Sequence, residues 1–126
     1  MKRKVGLWID HRKALIVSIT EGLEEIKSIP SDVEKRVRFS GEAQKNLEED
    51  IRERRFMNQL NIYYNKVISL IQDAETIFIV GPGEAKIELK KHLEKKKQIG
   101  QVIEIGTADK MTENQFAAKV REYFSK

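Results

Sequence analysis

The sequence contains no cysteine, only two histidines, two prolines and one tryptophan, and no long apolar run. Each scarcity removes a class of protein. Without cysteine there is no disulfide framework, no thiol nucleophile and no zinc-finger spacing. The isolated His11 and His92 cannot supply an imidazole cluster, so no resident metal and no cofactor is expected. The densest apolar stretches, residues 14–19 and 77–80, fall far short of the roughly 20 residues that cross a bilayer, so no membrane span is expected. The basic opening of Met1, Lys2, Arg3 and Lys4 is followed by too short an apolar segment, broken at Asp10, His11 and Arg12, to form the core of an export signal. A cytoplasmic location is the expectation.

What is present describes an ordinary folded domain. The chain has 126 residues, 40% hydrophobic and 35% charged, too apolar for disorder and too charged for a membrane protein. That length suits a single domain, residues 1–126, burying roughly two-thirds of its unfolded surface in one core. The net charge of +4, from 24 basic against 20 acidic residues, makes the chain weakly basic, so local clusters matter more than the total. The opening lysines and arginine form one such cluster. Lys90, Lys91, Lys95, Lys96 and Lys97 form another, although Glu88 and Glu94 among them also fit a solvated helix face.

Apolar residues mark the order of elements. Val5, Leu7 and Ile9, then the dense run 14–19, read as two strands joined by a tight turn at Asp10, His11 and Arg12. Leu23, Ile26 and Ile29 with charges between them read as an edge strand stopped by Pro30. Residues 31–41 lack a period and are expected to be a mobile connector. Residues 43–72 carry a helical spacing without Gly or Pro, yet their first half is almost wholly charged, so that half should project beyond the core. A buried strand at 76–80, a helix at 84–97, a strand at 102–105 and a terminal helix follow. Thr112 and Gln115 form a capping box for the last helix, and Phe116, Ala117, Val120 and Phe124 form its buried stripe. The expected fold is therefore α/β: a mixed sheet, antiparallel at first and parallel later, flanked by three helices in a ribonuclease H-like topology.

Several residues invite chemistry, and each has a plainer reading. Gly81, Pro82, Gly83 and Lys86 join a strand to a helix, where free N–H groups and a lysine could hold an anion. Glu84 in that turn would cap the same donors and repel an anion, and a tight turn needing glycine conformations is the favoured account. Asp10 at a strand end evokes a two-metal nuclease, but its only strand-borne companions, Glu25 and Glu104, show no sign of converging on it. Turn preference explains Asp10 more simply. His11 and His92 read as turn and surface residues, and Trp8, Tyr63 and Tyr64 as core residues before stacking platforms. No catalytic residue is expected.

Two stretches carry a resemblance: Val5-Gly6-Leu7-Trp8-Ile9-Asp10-His11-Arg12-Lys13-Ala14, and Ile77-Phe78-Ile79-Val80-Gly81-Pro82-Gly83-Glu84-Ala85-Lys86 with Leu89 and Leu93. With the element order, they resemble the middle domain of archaeal and eukaryotic peptide-chain release factors and of pelota, and more closely its stand-alone bacterial and archaeal relatives. In release factors a loop before the long helix bears Gly-Gly-Gln, whose glutamine promotes peptidyl-tRNA hydrolysis. The corresponding residues here are Glu42, Ala43 and Gln44, which lack the glycine freedom and add a carboxylate that RNA phosphates repel. The resemblance thus implies a translation-associated domain without release activity. The expected partner is RNA or the ribosome, met through Lys35, Arg36 and Arg38 of the connector, Arg52, Arg54 and Arg55 of the long helix, and the lysines from Lys90 to Lys97. A protein-interaction module or homodimer built on the charged helix is the alternative, and a metal-dependent hydrolase ranks third.

Overall fold

The computed structural model describes residues 3–33, 45–97 and 100–125, with backbone alone for 45–50. Among the described residues five strands form one sheet in the order β3-β2-β1-β4-β5. They are β1 (Arg3–Ile9), β2 (Lys13–Thr20), β3 (Leu23–Pro30), β4 (Thr76–Val80) and β5 (Val102–Ile105). The first three pair antiparallel, and β4 lies parallel to both β1 and β5. Three helices complete the fold among the described residues, α1 (Lys45–Ile71), α2 (Ala85–Glu94) and α3 (Glu113–Phe124). This is the mixed, three-helix α/β arrangement the patterning predicts, including an edge strand closed by Pro30, which has no N–H to donate.

The sheet is covered on both faces. Val5, Leu7, Ile9, Ile16, Ile77 and Ile79 pack under α1 and α2, against Leu60, Tyr63, Val67, Ile68, Leu89 and Leu93. On the other face Trp8, Leu15, Val17 and Val80 meet Phe116, Ala117 and Val120 of α3. Double coverage explains why β1 and β2 read as apolar runs instead of clean alternations. Trp8 is therefore a core residue, and its indole N–H donates to Asp109 O at 3.0 Å. The β2–β3 hairpin pairs Thr20 with Leu23 around Glu21 and Gly22, whose φ values of 51° and 84° belong to a type I′ turn.

α1 spans about 40 Å at 1.5 Å per residue, longer than the sheet beneath it. From Leu60 onward its stripe is buried, whereas residues 51–58 are all exposed, as the charge pattern predicts. Its last turn holds no basic residue, and Arg3 supplies one from β1. The Arg3 guanidinium donates to Leu70 O at 2.7 Å and Ser18 Oγ at 3.0 Å, and pairs with Asp73. A cation at this position complements the negative end of the helix.

One boundary and one buried position differ from expectation. α2 ends at Glu94 instead of Lys97, because after the buried Leu89 and Leu93 the next turn offers only lysines to the core. Phe124 is partly buried, at the rim of the α3 stripe, while Phe116, Ala117 and Val120 are fully enclosed. The capping box forms as expected, with Gln115 N donating to Thr112 Oγ1 at 3.1 Å and Thr112 N to Gln115 Oε1 at 2.9 Å. Such a cap stabilises a helix by about 1 kcal/mol.

Candidate functional site

β1 and β4 are parallel neighbours whose chains part beyond their carboxyl ends, β1 turning back into β2 and β4 leading to α2. Such a divergence is where open α/β sheets commonly hold ligands. On the β1 side, Asp10 Oδ1 accepts from Arg12 N at 2.8 Å and Lys13 N at 2.9 Å, so its carboxylate is engaged in shaping the hairpin. On the β4 side, a Cβ on Gly81 would lie 2.1 Å from Ile9 O, and this close backbone approach requires glycine. The expectation of special glycine conformations in this turn is thereby corrected: neither Gly81 nor Gly83 has positive φ, and space around Gly83 is open. Glu84 is the N-cap residue of α2, but its side chain caps nothing. Instead Lys86 Nζ donates to Gly81 O at 3.0 Å and Gly83 O at 2.7 Å, clasping the turn, in keeping with the favoured reading of this segment as a tight turn rather than an anion site.

Between these turns lies a polar cluster. Tyr64 OH donates to Glu88 Oε1 at 2.5 Å, and His11 Nε2 lies 3.3 Å from the same oxygen. Tyr63 OH donates to Asp10 O at 3.0 Å. The His92 ring lies 5.6 Å from that of Tyr64, and the His11 ring meets Phe56 edge-on at 6.5 Å. Burial, then the hydrogen bond and charge of Glu88, pushes the Tyr64 phenol well above its ordinary value of 10. Burial, then the charges of Asp10 and Tyr64, does the same for Tyr63. Both tyrosines stay protonated donors, so neither can act as a base. Among the described residues no group of three or more His, Asp or Glu is placed to hold a metal. Glu25 and Glu104 belong to β3 and β5, the opposite edges of the sheet, and neither approaches Asp10 at its centre.

The described candidate phosphate-binding residues fall in two groups, one on α1 and one on and after α2. α1 and α2 cover the same face and both run away from the carboxyl edge, since Phe56 meets His11 there and Leu70 meets Arg3 at the far end. Arg52, Arg54 and Arg55 are exposed on the projecting half of α1. Lys91, Lys95, Lys96 and Lys97 are exposed at the other end, and the partly buried Lys90 lies 3.6 Å from Glu94. With Tyr64 and Glu88 level, helical rise separates the two patches by roughly 30 Å. Lys35, Arg36, Arg38 and Gln44 lie outside the described residues. In the sequence Glu88 stands out only as an acid among lysines. Its partners His11 and Tyr64 stand 77 and 24 residues away, and no local pattern reveals those contacts.

No protein-family model and no curated protein matches the sequence. Solved structures do share the fold. Pelota of Thermoplasma acidophilum superposes with a TM-score of 0.59 and 13% identity, over 99% of this chain and 32% of that one. Pelota of Archaeoglobus fulgidus gives 0.58 and 12%, over 95% and 31%. An archaeal translation termination factor gives 0.53 and 14%, over 98% and 40%. The chain thus spans about a third of the length of the two Pelota proteins. At such identities the likeness is one of fold, and it agrees with the fold that the quoted sequence stretches imply.

Proposed function

We propose that this chain, folded like part of Pelota and of an archaeal termination factor, is a non-catalytic, translation-associated domain that binds RNA or the ribosome through the projecting half of α1. The observation that carries this reading is the contrast between the helix and its support. Arg52, Arg54 and Arg55 stand on a segment that contributes little to the core, and a helix extending past its own domain presents cations without disturbing packing. Lys35, Arg36 and Arg38 add basic charge in the sequence just before the helix, and Lys91 with Lys95, Lys96 and Lys97 adds a second phosphate contact on the same side as the arginines. No catalytic role is assigned to Asp10 or Gln44, because Asp10 is engaged in its turn and Gln44 lacks the neighbouring glycines. Co-sedimentation of the purified protein with ribosomes tests this reading. Pelleting should fall steeply between about 50 and 200 mM salt and be weakened in R52A/R54A/R55A. Equal pelleting of both proteins, or of neither, contradicts it.

One observation favours a second reading. Met57 and Ile62, 54% and 60% exposed, stand roughly 140° apart around α1, so a partner that wraps the projecting helix would cover both. A salt-insensitive dimer in light scattering, abolished by M57E/I62E, would move the assignment to a self-associating interaction module.

A further inference from the structure

The basic half of α1 also carries an aromatic residue beside a held histidine, and this pair extends the RNA reading on which it rests. We propose that Phe56 and His11 form a stacking site for one unpaired base of single-stranded RNA, with Arg52 placed to meet an adjoining phosphate.

Phe56 lies one turn before Leu60, where the buried stripe of α1 passes beyond the sheet, and it remains 36% exposed. Its ring meets the His11 ring at 69° with centroids 6.5 Å apart. Two nearly perpendicular rings form a corner in which a flat base can lie on one face and abut the other ring. The corner is held in advance. The His11 side chain, 42% exposed, is tethered to Glu88 at 3.3 Å, and Glu88 is in turn fixed by the buried Tyr64. Little side-chain freedom is then lost when a ligand arrives. Arg52 precedes Phe56 by four residues and so lies on the same helix face, one turn farther out. Phosphate and base are joined through one sugar, so a cation one helical turn from an aromatic ring suits a nucleotide. Acids are present too, at Glu53 and Glu88, which favours a base edge rich in N–H donors beside Glu88 over a second phosphate. A duplex keeps its bases stacked inward and cannot use this corner; an unpaired strand can.

Anisotropy of a fluorescein-labelled, unstructured RNA decamer and of its duplex measures the proposal directly, with wild type, Phe56→Ala and Phe56→Trp. Stacking losses on truncation to alanine run from roughly 5-fold to 150-fold per base, so Phe56→Ala should weaken single-strand binding by about 5-fold or more. Duplex binding and the salt slope should not change, since no phosphate contact is removed. Phe56→Trp should restore single-strand affinity, which a merely structural role would not predict for a partly exposed site. Unchanged decamer affinity in Phe56→Ala, or equal losses on decamer and duplex, overturns the base site and leaves RNA binding standing. Failure of the wild type to bind either RNA overturns both.

Discussion

The two halves of α1 share a helix and little else. From Leu60 to Ile71 the helix contributes to the core under which β1, β2 and β4 are packed, and its tyrosines fix the carboxyl-edge turns. Residues 51–58 stand in solvent with three arginines, one acid and a few apolar side chains. An isolated stretch of that length is marginal as a helix in water, so its helicity is inherited from the packed half to which it is joined. Stability and recognition are in this way assigned to different turns of one element, and substitutions in the two halves should have separable effects.

The largest contrast is in stability. Ile68→Ala removes a fully buried side chain and should cost about 2–5 kcal/mol, whereas Ile51→Ala, at a 37% exposed position, should stay within roughly 0.5 kcal/mol. Urea unfolding of both variants measures the difference, and comparable losses would mean that the projecting half belongs to the core. A second contrast is with pH. Tyr63 and Tyr64 have folded-state values raised above their ordinary value of 10. Their contribution to stability is therefore complete below about pH 10, and it is lost as pH rises, because the unfolded chain releases phenolic protons that the folded chain retains. Stability should fall above pH 10 with a slope approaching 1.4 kcal/mol per pH unit for each tyrosine, and Tyr63→Phe should flatten it. Tyr63 and Tyr64 of the buried half, with Tyr123 of α3, whose phenol is pushed up to about 12, should account for this alkaline sensitivity, and the arginines of the projecting half should not alter it.

Much of this division was legible in the sequence. The charged run before Phe56 and the apolar spacing after it forecast where α1 leaves the sheet, because burial follows periodicity. The capping box and the Pro30 strand end were equally readable, since each depends on residues close in sequence. The site was less so. That Lys86 closes its own turn, that Glu84 caps nothing, and that Gly81 is required by the carbonyl of Ile9 all depend on how β1 and β4 approach each other. The link from His11 through Glu88 to Tyr64 joins a hairpin, α2 and α1, and no single segment encodes it.

The most direct test of the central claim is the salt dependence of RNA binding by the wild type and by R52A/R54A/R55A, with thermal unfolding of both as control. Each arginine that meets a phosphate on a single strand contributes about 0.7 to the slope of log K against log salt. The account predicts a shallower slope in the variant, by roughly 1.4 to 2, with an unfolding midpoint close to that of the wild type. An unchanged slope, or a variant that binds weakly only because it is unfolded, would contradict it.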